Sequence, residues 1–253
     1  MRPELLASRL IESAALMKAA IIIPARWAST RFPGKPLAPI AGVSLIQRVY
    51  TRVASSQLAA AVYVATDDDR IAEHVASFGG LVVRPVGDFA TGTDRIAAAL
   101  SLLPSAYEQI VNVQGDEPLI DVASVDAVIS VLQSTGVDMA TLSCPFSSDE
   151  ERLSPDIVKV VTDFADNALY FSRAPLPAAR RHVGLYGYQT AVLRKLAALP
   201  PSELERAESL EQLRALQNGL RIRVLHTPRP HLGVDRPEDV GRVEEELAKS
   251  VPS

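Results

Sequence analysis

Between Ile21 and Val113, short apolar runs alternate with segments of helical spacing, and this alternation limits the folds open to the chain more than any other feature. Ile21–Ile23, Ala61–Thr66, Leu81–Val83 and Gln109–Val113 read as strands of the buried kind, mostly apolar rather than alternating. Between them, Leu45–Ala54 puts Leu45, Ile46, Val49 and Val53 on one helical stripe. Asp67 is expected to cap a second helix through Ile71, Val75 and Phe78, which Gly79-Gly80 stops, and Thr93–Leu103 reads as a third. Strand and helix in turn predict an α/β fold, a mostly parallel twisted sheet with helices on both faces. Ligands in such sheets sit beyond the carboxyl ends of the strands.

The second half is less regular. Strands are predicted at Asp138–Ser143, Ile157–Thr162, Val183–Gln189 and Ile222–Leu225, and helices at Val192–Leu199, Leu204–Asn218 and Pro237–Lys249. Strand beside strand implies a smaller antiparallel subregion added to the first half. With no repeats, low-complexity tracts or long linker, residues 18–250 read as one unit with two lobes, about 18–135 and about 136–250.

Composition sets the class of partner. A 47% hydrophobic content in 253 residues supports a sizeable core, and 26 Lys+Arg against 30 Asp+Glu leaves no basic excess for nonspecific nucleic-acid binding. Any anion site must therefore be local. Cys144, the one cysteine, lies in an apolar run and reads as a small buried hydrophobe; a lone thiol forms no internal disulfide, which fits a reducing cytoplasm. No apolar run approaches the roughly 18 residues that cross a bilayer, so no membrane partner is expected. The leading residues carry Glu4 and Glu12 and lack a signal peptide's apolar centre, and Met17-Lys18 directly precedes the first strand; residues 1–17 read as an N-terminal extension, with Met17 as the start, or else as an added helical turn.

The first strand empties into Pro24-Ala25-Arg26-Trp27-Ala28-Ser29-Thr30-Arg31-Phe32-Pro33-Gly34-Lys35-Pro36. Arg26, Arg31 and Lys35 can spread charge along a triphosphate, while backbone N–H groups near Ser29, Thr30 and Gly34 close on its oxygens. The spacing is not that of a Walker loop. Gln114-Gly115-Asp116-Glu117-Pro118 sets two carboxylates at a strand end between Gly and Pro, hard ligands suited to Mg²⁺, which takes one or two protein carboxylates and keeps several waters. Asp235, in Gly233-Val234-Asp235-Arg236-Pro237, offers another carboxylate, although its position equally suits a helix N-cap.

Other segments carry weaker signals. Thr91-Gly92-Thr93-Asp94-Arg95 has capping chemistry, and Gly92 would let a ligand approach, so Thr93 is a candidate nucleotide contact. Asp67-Asp68-Asp69 reads as a solvated helix start. In His182-Val183-Gly184-Leu185-Tyr186-Gly187-Tyr188, two glycines within a strand point to close packing of backbone or ligand, and His182 is either a contact to a carboxylate or sugar hydroxyl or a structural histidine. On the helix holding Leu210 and Leu213, Glu211 and Gln212 fall on the polar side.

Taken in order, Pro-Ala-Arg-x-Ala-Ser-Thr-Arg-x-Pro-Gly-Lys-Pro, Ala-Thr-Asp, Gly-Thr-Asp-Arg, Val-Asn-Val-Gln-Gly-Asp-Glu-Pro, Leu-Tyr-Phe-Ser-Arg, His-x-Gly-x-Tyr-Gly-Tyr, Leu-Glu-Gln-Leu-Arg and Gly-Val-Asp-x-Pro-Glu-Asp resemble the 3-deoxy-manno-octulosonate (Kdo) cytidylyltransferase family from about Lys18 to Ala248. The resemblance implies a nucleotide-diphospho-sugar transferase fold, dependence on Mg²⁺ and a homodimer. It implies attack of a 3-deoxy sugar acid's anomeric hydroxyl on the α-phosphorus of CTP, giving CMP-sugar and pyrophosphate. Arg26, Lys35 and Asp116 would be catalytic; Arg26, Ser29, Arg31, Lys35, Thr93 and Gln114 would bind the nucleotide; Asp116 and Asp235 would hold the metal. Gln114, Arg180, His182, Tyr186, Glu211 and Gln212 would face the sugar acid, with the second lobe carrying sugar binding and dimerisation. The chain departs from the family where Ala178-Ala179-Arg180-Arg181 replaces a longer connection bearing an arginine, a place Arg180 would fill. That departure leaves related acids, 8-amino-Kdo or sialate, open as substrates.

Overall fold

The structure, a computed structural model, describes residues 18–28, 31–89 and 91–249. The first half of the chain runs β1 (Ala19–Pro24), the two-residue strands β2 (Pro39–Ile40) and β3 (Val43–Ser44), α1 (Leu45–Val53), β4 (Ala59–Ala65), α2 (Asp69–Ser77), β5 (Leu81–Val83), α3 (Gly92–Ala99), β6 (Gln109–Asn112) and α4 (Val122–Leu132). The second runs β7 (Met139–Cys144), α5 (Asp149–Leu153), β8 (Lys159–Thr162), β9 (Ala168–Ser172), β10 (Arg180–Gln189), α6 (Thr190–Ala198), α7 (Glu203–Glu208), α8 (Gln212–Gln217), β11 (Ile222–His226) and α9 (Asp239–Lys249).

Both halves contribute to one nine-stranded sheet, ordered β11-β7-β10-β6-β1-β4-β5, with β8 paired to β10 and β9 to β8. Strands β6, β1, β4 and β5 are parallel, as are β11 and β7. Strand β10 runs antiparallel to both β6 and β7, and the antiparallel region continues through the β8–β9 pair. Side chains of β1 alternate between two cores: Ile21 and Ile23 pack with Val49, Val75, Val128 and Val243 on one face, Ile22 with Ile96, Leu193 and Leu213 on the other. All three isoleucines are fully buried, each contributing about 1.5–3 kcal/mol relative to exposure. Among the described residues no helix is long and apolar enough to cross a membrane.

Close packing explains one of the strand glycines. A Cβ on Gly187 would stand 2.4 Å from Val128 Cγ1 and 2.8 Å from Leu132 Cδ1, so β10 lies against α4 only because residue 187 has no side chain. Three boundaries differ from expectation. Asp68, not Asp67, caps α2, its carboxylate accepting from Arg70 N and Ile71 N. Thr91 caps α3, which gives way after Ala99 to a 3₁₀ turn over Leu100–Leu102. The single helix expected over 204–218 is two, because Ser209 takes a left-handed backbone with φ 53° and turns the chain between α7 and α8. Helix α4 and strand β9 fall in segments where no element was expected.

Candidate active site

The carboxyl ends of β1 and β6 lie side by side, Ile22 in register with Asn112, so the loops after them leave from the same sheet edge. They touch backbone to backbone: a Cβ on Gly115 would be 3.0 Å from Pro24 O. A third loop joins from the far end of the chain, where Val234 N donates to Asp116 O at 2.8 Å.

This junction brings the two candidate acids to one cation. Lys35 Nζ donates to Asp116 Oδ2 at 2.7 Å and to Val234 O at 2.8 Å, and lies 3.8 Å from Asp235 Oδ1. Arg31 Nη2 reaches the same Asp235 oxygen at 3.3 Å. The N-cap reading of Asp235 is not realised: α9 starts four residues later, and Asp239 Oδ2 accepts from the backbone N–H groups of Asp235 and Arg236, each at 2.9 Å. The Asp235 side chain is thereby left to the cations.

Around them opens a cleft of about 380 Å³ whose lining includes Arg26, Arg31, Lys35, Thr91, Gly92, Arg95, Gln114, Asp116 and Asp235. Arg95 is the lining cation the sequence reading did not single out, although it stands in the Gly-Thr-Asp-Arg segment. It is buried, pairs with Asp67 Oδ1 at 2.8 Å and lies 5.0 Å from the Phe89 ring. The acidic run 67–69 therefore divides its work: Asp67 holds Arg95, Asp68 caps α2, and Asp69 Oδ1 accepts from Arg84 at 2.5 Å. The loop after β1 is braced by Trp27. Arg70 covers its ring at 3.5 Å, and a Cβ on Gly34, which has φ 70°, would meet the ring at 2.9 Å. Ser29 lies outside the described residues.

A smaller cavity of about 110 Å³ adjoins, with Gly92 and Gln114 lining both spaces. Its wall includes Thr93, Asn112, Tyr186, Tyr188, Glu211 and Gln212. Thr93 thus faces this cavity rather than the larger cleft. Burial is the main force on the ionisable groups here. It raises Glu211 above the usual carboxylate range, the Asp94 charge adding to the rise and hydrogen bonds from Thr93 and Thr91 opposing it. Burial likewise pushes the Tyr186 and Tyr188 phenols well up.

His182 and Arg180 line neither space. Burial pushes His182 down to about 3, so it is a neutral ring, 2.9 Å from Thr141 Oγ1 through Nε2 and packed against Phe171 and Tyr186. Arg180 begins β10 opposite Val160, its Nε buried without a partner. Across the two spaces the structure gathers Arg26, Arg31, Lys35, Gln114, Asp116 and Asp235 with Thr93, Tyr186, Glu211 and Gln212.

Known proteins are similar to this chain over most of its length. The family model described as cytidylyltransferase matches residues 20–222. The 3-deoxy-manno-octulosonate cytidylyltransferases of Syntrophotalea carbinolica and Geobacter sulfurreducens are each 49% identical, over 91% of this chain and 99% and 100% of theirs. A solved CMP:2-keto-3-deoxy-manno-octonic acid synthetase, complexed with CTP, superposes with a TM-score of 0.88 at 38% identity, covering 92% of this chain and 100% of that one. A cytidylyltransferase from Leptospira borgpetersenii, 19% identical with a TM-score of 0.63, shares the fold. With the motifs, the sheet and the extent of these likenesses in agreement, the chain belongs to the 3-deoxy-manno-octulosonate cytidylyltransferase family, a group of nucleotidyltransferases.

Proposed function

We propose that this protein transfers CMP from CTP to the anomeric hydroxyl of Kdo and releases pyrophosphate, activating the sugar for lipopolysaccharide synthesis. The observation that carries the reading is Lys35 set between Asp116 and Asp235 at the edge of a cleft also lined by Arg26 and Arg31. The names of the similar proteins supply the nucleotide and the acid.

In this reading Arg26, Arg31 and Lys35 hold the triphosphate and neutralise the charge that collects on the departing pyrophosphate. Gln114, lining both spaces, stands where nucleotide and sugar acid meet. The anomeric oxygen bonds to the α-phosphorus, the bond from that phosphorus to the bridging oxygen breaks, and the hydroxyl proton passes to solvent. Positioning and charge neutralisation carry most of the rate in such transfers.

The donor set at the junction suits Mg²⁺. Among the described residues no group of three or more His, Cys, Asp or Glu side chains surrounds one point, and two carboxylates match an ion that otherwise keeps water and substrate oxygens. Asp116 and Asp235 would hold it, Lys35 giving up its present contact with Asp116. Bound there, Mg²⁺ would neutralise phosphate charge and lower the pKa of a coordinated hydroxyl. A homodimer working in the cytoplasm completes the proposal.

Purified protein given CTP, Mg²⁺ and Kdo should release pyrophosphate, and CTP should outcompete GTP and UTP. No release above a metal-free control would reject the reading. A related acid such as 8-amino-Kdo or sialate remains the second reading, favoured by the short connection at 178–181 and by Arg180 lying outside both cavities. Parallel assays with these acids decide between them.

A further inference from the structure

The start of α3 touches both cavities. Thr91 and Gly92 line the larger cleft, and Gly92 and Thr93 line the smaller. Thr91 Oγ1 donates to Glu211 Oε1 at 3.1 Å and Thr93 Oγ1 to Glu211 Oε2 at 2.9 Å, across separations of 120 and 118 residues. Capping accounts for Thr91, whose oxygen also accepts from Asp94 N, but it does not account for Thr93, a buried hydroxyl with no role in ending the helix. Each Glu211 oxygen is thus fixed by one hydroxyl, which sets the plane of the carboxylate and leaves further acceptor capacity at the wall of the small cavity.

We infer that Thr91 and Thr93 are positioning residues that hold the Glu211 carboxylate for the sugar acid, so that one helix start serves both substrates. The inference rests on the functional reading above. The nearby cation does not do this work: the Arg214 guanidinium is committed to Glu205, at 2.7 and 2.5 Å, and to Leu199 O at 3.2 Å. The charged and titratable groups facing Glu211 are Asp94 on α3, Arg214 on α8, and Tyr186 and Tyr188 on β10. Burial and Asp94 disfavour the ionised carboxylate, so losing a hydroxyl donor moves its titration to higher pH.

The test is pyrophosphate release as a function of pH with Kdo varied, then with CTP varied, for wild type, Thr93→Val, Thr93→Ser and Glu211→Gln. Thr93→Val should raise the KM for the sugar acid about tenfold and move the acid limb of kcat/KM upward, leaving the KM for CTP within about twofold. Thr93→Ser, which keeps the donor, should restore both. An unmoved acid limb and sugar KM in Thr93→Val, or Thr93→Ser as impaired as Thr93→Val, would overturn the inference. Where Thr93→Val does not fold, Glu211→Gln decides: it should erase the acid limb, and survival of the limb overturns the assignment. Wild type inactive on every sugar acid would overturn the functional reading and this inference with it, whereas an active wild type with an unaltered Thr93→Val profile overturns the inference alone.

Discussion

The two adjoining cavities use opposite electrostatics. At the rim of the larger, full charges meet water: Arg31 and Asp235 are both more than half exposed, and Lys35 bridges to a partly exposed Asp116, while Arg95 is buried and paired with Asp67. In the smaller, burial disfavours charge: the tyrosine phenols and the Glu211 carboxyl are all pushed up, and Glu211 is held by hydroxyls rather than by a cation. The difference suits their proposed ligands. A triphosphate brings charge that mobile, solvated cations can follow, while a sugar acid brings hydroxyls that fixed acceptors can sort, and a missing hydroxyl leaves such an acceptor unpaired.

The comparison breaks most sharply at Asp116. Asp116→Asn keeps size and hydrogen bonding but removes a charge from the rim, so kcat should fall about a thousandfold or more while stability moves by less than about 1 kcal/mol. Steady-state kinetics beside thermal melts would separate the two, and a melting loss that tracked the activity loss would make Asp116 structural instead. The reverse pattern belongs under the small cavity. Glu205 takes Arg214 in a two-pronged contact and accepts from Ser202 N at 2.9 Å, with both side chains largely buried. Breaking such a pair by Glu205→Gln should cost about 3–5 kcal/mol, read by urea unfolding.

Its pH dependence has a definite sign. Burial pushes Glu205 up, but the Arg214 hydrogen bonds, the Ser202 backbone and the charges of Arg214 and Arg206 outweigh it and leave the carboxyl below its ordinary 4.5. A folded value below the unfolded one means stability fully present above pH 4.5 and lost as pH falls through the folded value. Glu205→Gln should flatten that acid slope. A slope as steep as wild type would remove Glu205 as its source.

What the sequence discloses follows the same divide. Strand β1 is legible because burial on both faces leaves a continuous apolar signature, β4, β5 and β6 because they are short apolar runs set between helical segments, and the loop after β1 because three cations crowd a proline-rich stretch. The meeting of Asp116 with Asp235 is not carried by spacing, since a backbone bond from Val234 N makes it. Nor is the bond of Thr93 to Glu211, which joins helix starts far apart in the chain. Helix α4 escapes a periodicity reading because Val122–Leu132 is apolar on most sides and rich in β-branched residues, a pattern strand and helix share. The break at Ser209 interrupts a stripe that otherwise continues from Leu204 to Leu216, and only the left-handed backbone at that residue reveals it.

The finest test of the exposed cavity uses Trp27, the one tryptophan in the chain. It sits between Arg26 and Arg31, under the Arg70 guanidinium at 3.5 Å and against Gly34, so it bridges α2 to the cation-bearing loop. If Arg26 and Arg31 hold the triphosphate as proposed, CTP should change the tryptophan emission with a saturation curve that matches its KM. Trp27→Phe keeps a ring on Gly34 and weakens the cation–π contact by about 0.5–1 kcal/mol, which should raise the KM for CTP about two- to fivefold and leave the KM for the sugar acid alone. Emission blind to saturating CTP, together with an unchanged KM in the variant, would mean that the ring braces the fold and takes no part in gripping the nucleotide. An equal change for both substrates would instead erase the separation between the cavities, because a contact confined to the charged rim reaches the buried one only through the residues that line both, Gly92 at the start of α3 and Gln114.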